Sequence, residues 1–267
     1  MRALKDAVNI KGFNDLSNED YLKLKVQWFN ESTGTLNQED GIECSKCNNK
    51  GLIEYIKDGN NYMTHCECMK KRNIIKNAKN SGLGEYINKR SSDYKVTNDW
   101  QEKNFNTMVD YCKTQGDTGK WFAALGQSGG GKTLMCSIIA NHLLFNLNKT
   151  VVYITWTDFI SRLKRDVMSD GANKVTEYLE NIKNVEVLFI DELLKKYNET
   201  DLKYIIEIIN YRYTNNLKTI ITSERNIDEL LDIDEATFGR MIEKCETYVI
   251  DIPKDRSKNY RLRNLYK

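Results

Sequence analysis

Gly126-Gln127-Ser128-Gly129-Gly130-Gly131-Lys132-Thr133 decides the fold. The octapeptide matches GxxxxGK[ST]. It follows the apolar run Trp121–Leu125 and opens the run KTLMCSIIANHLL from Lys132. Strand, glycine loop and helix are the context this motif requires. Glycine permits the backbone angles that turn successive N–H groups inward, so that they cradle phosphate oxygens. The helix N-terminus adds its partial positive charge. Gly126, Ser128, Gly129, Gly130 and Gly131 are therefore candidate triphosphate contacts. Lys132 can reach the β and γ phosphates, and the Thr133 hydroxyl can ligate Mg²⁺.

The motif needs a companion, an apolar strand that ends in an acid. Val185-Glu186-Val187-Leu188-Phe189-Ile190-Asp191-Glu192 supplies it. Asp191 can hold Mg²⁺ through water, and Glu192 is placed to polarise an attacking water. Two acids in this order favour nucleotide hydrolysis over transfer to a bound small molecule. Around this pair the C-terminal two thirds alternate strands with helices. The expected strands are Trp121–Leu125, Val151–Thr155, Val185–Asp191, Thr219–Thr222 and Tyr248–Ile252. Three are near-continuous apolar runs, as in strands buried on both faces of a parallel sheet. Helices are expected over Trp100–Gln115, Lys132–Asn146, Thr157–Met168, Lys174–Asn181, Asp201–Asn215 and Asp234–Cys245. The pattern predicts an α/β sandwich with helices on both faces. Arg240 and Arg261 follow the fourth and fifth strands. Each is a candidate to stabilise charge on a γ-phosphate, and each could instead be a surface arginine.

The N-terminal third has a different texture. Cys44-x₂-Cys47 and Cys66-x-Cys68 cluster within a total of seven cysteines. An odd total with tight pairs favours metal over disulfides. Four thiolates suit tetrahedral Zn²⁺ in a closed, structural site, with His65 as an alternative to one of them. Two short strands, Leu52–Lys57 and Tyr62–His65, join at Asp58-Gly59-Asn60, and a hairpin this small needs the metal to hold it. Cys112, Cys136 and Cys245 read as small core residues. Residues 17–30 read as a helix capped by Ser17 and Asp20, apolar on two stripes. One of those stripes either packs internally or awaits a partner.

The 267 residues are 40% hydrophobic and 29% charged, enough for a sizeable core and too apolar for a disordered chain. No stretch reaches the apolar length of a membrane span. The start lacks a signal-peptide run, so a cytoplasmic protein with no membrane partner is expected. The net charge of +2 hides two basic patches on an acidic body. One is Lys70, Lys71, Arg72, Lys76 and Lys79; the other is the tail from Lys254. Such patches suit a polyanion or a solvated face. Abundant Asn, Lys and Ile suggest an AT-rich genome.

The GQSGGGKT loop, LFIDE (188–192), IINYRYTNNLKTIITSE (208–224), FGRMIEKC (238–245) and NYR (259–261) together resemble a known family. They are similar to the DnaC/DnaI-type replicative helicase loaders, a branch of the AAA+ ATPases found in bacteria and phages. The resemblance implies an AAA+ P-loop ATPase fold with a five-stranded parallel sheet sandwiched by helices. It also implies a small zinc-binding module and an N-terminal helix. The implied domains are an N-terminal helical segment 1–35, a zinc module with a basic helix 36–80, and an AAA+ domain 81–267. The resemblance further implies ATP, Mg²⁺ and Zn²⁺ as ligands, and ATP hydrolysis that delivers a DnaB-family helicase onto single-stranded DNA. ATP-dependent self-association into a ring or spiral would follow, because Arg240 would act in trans as the arginine finger. Arg261 would be the second sensor, and Thr222-Ser223-Glu224 the first. Many relatives carry Asn where Glu224 stands, which leaves Ser223 as the candidate sensor. Arg212 is a further candidate for a subunit or DNA contact. Three other functions remain open on sequence: an IstB-type transposition helper, a zinc-bearing adaptor that holds ATP only structurally, and a nucleotide kinase, which the tail motifs suit less.

Overall fold

The structure is a computed structural model that describes residues 17–116, 118–169, 172–262 and 264. Contacts divide the chain into two compact units, 1–76 and 77–267. The helix read as a separate segment and the cysteine-rich loop thus fall in one unit.

In the first unit, α1 (Asn18–Glu31) begins at Ser17. Its hydroxyl accepts from the Asp20 N–H and donates to the Asp20 carboxylate. No α1 residue is fully buried, and Trp28 is 47% exposed. Asn30 fastens the helix to the sheet, its amide bonding both the N–H and the C=O of Glu54. A short α2 (Leu36–Asp40) follows. Next come β1 (Leu52–Lys57) and β2 (Asn60–His65), antiparallel with Lys57 opposite Asn60. The two-residue connection Asp58-Gly59 has positive φ at both positions, 50° and 71°, as the tightest hairpin turns require. Helix α3 (Cys68–Asn80) carries the basic run. Arg72 does not belong to an exposed basic face: it is buried and forks onto Asp40, with a further bond to the Ile42 carbonyl.

In the second unit, α4 (Asp99–Thr114), β3 (Phe122–Gly126), α5 (Lys132–Phe145), β4 (Val151–Thr155), α6 (Trp156–Ser169) and α7 (Ala172–Asn184) come first. They are followed by β5 (Val187–Asp191), α8 (Glu199–Thr214), β6 (Lys218–Thr222), α9 (Ile227–Leu231), α10 (Glu235–Cys245) and β7 (Val249–Ile252). The five strands form one parallel sheet in the order β4-β5-β6-β3-β7. Successive side chains on a strand point to opposite faces, and the core splits accordingly. Ala123, Leu125, Leu188, Ile190 and Ile221 pack in a cluster with α6, α8 and α10. Phe122, Ala124, Phe189 and Ile220 pack in a second with α4 and α5. This is the expected α/β sandwich. Cys136 and Cys245 are core residues, while Cys112 is half-buried. The sequence reading passed over α9. Its start is an Asn226–Glu229 capping box in which each side chain bonds the other's backbone N–H.

Arg212 requires a correction. It is fully buried and donates to the carbonyls of Lys183, Val185 and Lys218 and to Thr219 Oγ1. It ties the end of α7 and the start of β5 to β6 and offers nothing to DNA or a second subunit. Burial without a carboxylate pulls its pKa well down.

Candidate nucleotide site and candidate metal centre

The site lies at the C-terminal ends of β3, β5 and β6, where a parallel sheet opens its crevice. The loop after β3 requires glycine at both ends. Gly126 has φ 87°, and a Cβ there would sit 2.1 Å from the Ile252 carbonyl. Gly131, at φ 84°, is the N-cap of α5 and faces the Tyr94 ring. Beyond the loop, a cavity of about 280 Å³ is lined by Ser128, Gly129, Gly130, Gly131, Lys132, Thr133, Glu192, Ser223 and Arg261. Tyr86, Tyr94, Gln101, Thr222, Glu224 and Tyr260 also line it.

Lys132 is 7% exposed, and its ammonium donates to the carbonyls of Gly126 at 2.8 Å and Gln127 at 2.7 Å. Burial pushes its pKa below the ordinary lysine value. A triphosphate would exchange these carbonyls for phosphate oxygens. Asp191 is 4% exposed and accepts three hydroxyls. Thr133 Oγ1 donates to its Oδ1 at 2.9 Å, Tyr153 OH donates to its Oδ2 at 3.0 Å, and Thr222 Oγ1 also bonds Oδ1. A hydroxyl and a carboxylate side by side are hard oxygen donors and fit Mg²⁺. Glu192 follows with φ 56°, its N–H donating to Thr222 Oγ1 at 2.9 Å.

Not every candidate enters this cavity in the role expected. Ser223 touches it, but its hydroxyl donates to the Leu193 carbonyl and accepts from the Arg225 N–H. Thr222 makes the contact to Asp191 instead. Arg261 lines the cavity. Arg240 does not: it is exposed on α10, donating to Asn210 Oδ1 at 2.7 Å beside the Tyr213 ring. Tyr153 was also missed. Its signal was a polar ring within the apolar run VVYIT, on the strand that pairs with β5.

In the first unit, the four cysteines converge. The Sγ atoms of Cys44, Cys47, Cys66 and Cys68 all lie within 4.8 Å of one another, with Cys44–Cys66 at 3.8 Å and Cys47–Cys68 at 3.6 Å. A tetrahedron with Zn–S of about 2.3 Å has edges of about 3.8 Å, so the set fits zinc. Asn48 and Asn49 both take left-handed φ and turn the first pair into a knuckle. Hydrogen bonding from the Cys47 backbone pulls the Cys44 thiol down to about 7. Burial pushes Cys68 up to about 12. His65 is exposed and stands outside the four. Among the described residues, no helix is long and apolar enough to cross a membrane.

Known proteins are similar to parts of this chain. A family model described as the bacterial DnaA ATPase domain matches residues 116–244. The uncharacterized protein YqaM of Bacillus subtilis (strain 168) is 31% identical over 215 residues, 75% of this chain and 67% of YqaM. The replicative helicase loader DnaC of Buchnera aphidicola subsp. Baizongia pistaciae is 30% identical over 152 residues, 55% of this chain and 60% of that one. A crystal structure of the DnaC helicase loader superposes with a TM-score of 0.51 at 23% identity, over 64% of this chain and 98% of the other, a likeness of fold. By its likeness to YqaM the chain belongs to the family of that protein, and its glycine loop, paired acids and five-stranded parallel sheet give it the AAA+ P-loop ATPase fold, similar to that of the DnaC helicase loader.

Proposed function

We propose that the chain hydrolyses ATP to load a DnaB-family replicative helicase onto single-stranded DNA as replication begins. The observation that carries this reading is that Lys132, Thr133 and Glu192 line one cavity while Asp191 accepts from the Thr133 hydroxyl at its edge, with Arg240 exposed outside it. Lys132 binds the β and γ phosphates. Thr133 and Asp191 would hold Mg²⁺, whose charge would offset that of the phosphate oxygens. Glu192 accepts a proton from the attacking water as its oxygen bonds to the γ-phosphorus. The bond from that phosphorus to the bridging oxygen breaks, leaving ADP and phosphate. Arg261, which lines the same cavity, would meet those phosphates. Arg240 of one copy enters the site of the next, which requires head-to-tail assembly into a ring or spiral.

The zinc module supports a gripping role. Its hairpin exposes Tyr55, Tyr62 and Met63, and its helix exposes Lys70, Lys71 and Lys76. Such a surface suits the helicase, while basic residues of the ATPase unit would track single-stranded DNA with marked salt dependence.

The test is Arg240→Ala. Nucleotide affinity should be unchanged, while turnover stimulated by helicase and single-stranded DNA falls by at least about 10²-fold. Normal stimulated turnover in that variant removes Arg240 from the site. Equal turnover by Glu192→Gln and wild type would favour an adaptor that holds ATP as a structural ligand.

A further inference from the structure

Glu192 and Lys195 are the two ends of one tight turn. The Lys195 N–H donates to the Glu192 carbonyl at 3.1 Å, and Leu194 takes a left-handed φ of 55°. Leu193 and Leu194, between them, are fully buried. Their backbone is fastened to the end of β6. The Leu193 N–H donates to the Thr222 carbonyl at 2.8 Å, Ser223 Oγ donates to the Leu193 carbonyl at 2.8 Å, and Arg225 Nε donates to the Leu194 carbonyl at 3.2 Å. The turn is thus rigid, and only its two polar side chains are free to move. Lys195 Nζ bonds Glu192 Oε1 at 2.7 Å and lies 3.6 Å from Glu224 Oε1. The two carboxylates are about equally exposed, at 36% and 38%, and both line the nucleotide cavity. One ammonium therefore stands between two acids, bonded to the one expected to take the proton from water.

We infer that Lys195 is a latch on Glu192, and that Glu224 is the second acceptor to which the latch passes when a triphosphate enters; this rests on the proposed ATP hydrolysis. A carboxylate oxygen bonded to an ammonium at 2.7 Å is turned from the water it must serve. Moving Lys195 by about 1 Å brings it from the Glu192 geometry to bonding distance of Glu224. An ionised carboxylate cannot donate a hydrogen bond to a phosphate or a water, so it is unsuited to sensing them. It is suited to receiving a lysine. Glu224 thereby has a role that an acid fills, as the second acceptor beside the first. Lys195 and Glu224 are positioning residues that act through Glu192.

The experiment is a double-mutant cycle in the full chain, with saturating ATP and Mg²⁺, reading kcat and KM separately alongside affinity for a fluorescent ATP analogue. Lys195→Met should raise basal kcat by about threefold to fivefold, the range a half-exposed ion pair can impose, with KM nearly unchanged. Glu224→Gln should lower kcat by a similar factor, because Lys195 then has Glu192 alone. The double variant should match Lys195→Met, since with the latch gone its second acceptor is idle. Lys195→Arg should restore latched, low turnover. A fall in kcat for Lys195→Met, or additive effects in the double variant, overturns the latch. So does a wild-type rate in all three variants. Melting temperatures are measured in parallel, and Lys195→Gln replaces any Lys195→Met preparation that fails to fold. Wild-type protein that binds ATP without hydrolysing it overturns the proposed function, and the latch with it; hydrolysis without the divergence of the two single variants overturns the latch alone.

Discussion

Replacing Arg212 by Met should destabilise the ATPase unit without touching its nucleotide chemistry. Arg212 is fully buried, and its guanidinium donates to four carbonyls, those of Ile182, Lys183, Val185 and Lys218, along with Thr219 Oγ1. Methionine fills much of the volume but donates nothing. Each buried carbonyl left without its donor costs about 1–3 kcal/mol. Removing a desolvated charge returns part of that, so a net loss of about 3–5 kcal/mol is expected. In a unit of this size each kcal/mol shifts the melting temperature by about 2–4 °C. The variant should therefore melt roughly 10 °C or more below wild type. Tryptophan emission is a suitable probe, because Trp100, Trp121 and Trp156 all lie in this unit and Trp121 is anchored on the Leu217 carbonyl beside the same strand. At low temperature the variant should bind ATP normally. A variant that melts within about 2 °C of wild type but loses DNA binding or self-association would refute the buried-hub account and restore Arg212 as a contact residue.

Three further outcomes follow from the same geometry. Stripping metal with a chelator, or substituting Cys68→Ser, should release zinc and unfold the hairpin of the first unit while ATP affinity in the second stays within about twofold; this is read by a colorimetric zinc assay with limited proteolysis, and an intact metal-free hairpin would contradict it. ATP affinity should fall as pH rises. Burial lowers the Lys132 pKa, so the charge that binds phosphate is fully present below that value and is lost as pH climbs through it, earlier than for an ordinary lysine; titration from pH 7 to 10.5 with Lys132→Met as a flat reference would expose a later decline. Glu229 is held below the ordinary carboxylate range, first by Lys254 and then by the Asn226 N–H, so its contribution to stability is present above its unfolded value and lost on acidification through the folded one; Glu229→Gln should flatten the acid limb of urea unfolding, and an unchanged limb would discount this pair.

The sheet was legible because its central strands are buried on both faces, and β3 and β5 read as the near-continuous apolar runs FAALG and VLFI. Strand and helix limits moved by only a residue or two, but α7 extends three residues beyond its expected end because Lys183 and Asn184 prolong the last turn with bonds to Glu180. Of the nucleotide site, Ser128 to Thr133 and Glu192, which come from two contiguous motifs, line one cavity. Tyr153 was missed and Thr222 was read only as part of the first sensor; both belong to strands adjacent to β5 in space and remote in sequence, and only the register Thr155 opposite Asp191 and Ile190 opposite Ile221 brings their hydroxyls to the acid. Arg212 was misread for a related reason. Tyr-Arg-Tyr looks like a surface helix motif, and nothing local shows that α7 ends with its free carbonyls facing that guanidinium. The four cysteines were legible because ligand chemistry restricts them more than packing does.

Arg240 carries the argument for assembly further than its sequence position could. Its partners, Asn210 and Tyr213, are both neutral and both lie on α8. A guanidinium paired with a carboxylate would have to surrender that bond to reach phosphate, and the exchange would cancel much of the gain. One oriented by an amide and a ring keeps its charge uncompensated and its direction set, which is what stabilising charge on another chain's γ-phosphate needs. Within its own chain the cavity already holds Lys132 and Arg261, with Arg240 outside it. Under the proposed reading, turnover must then rise with protein concentration until neighbouring copies are engaged, and Arg240→Ala chains mixed into wild type should silence only the sites that face them. Turnover per chain that is constant at high dilution would mean that the pocket is complete in one copy, and Arg240 would return to being a surface arginine steadied by its own helix.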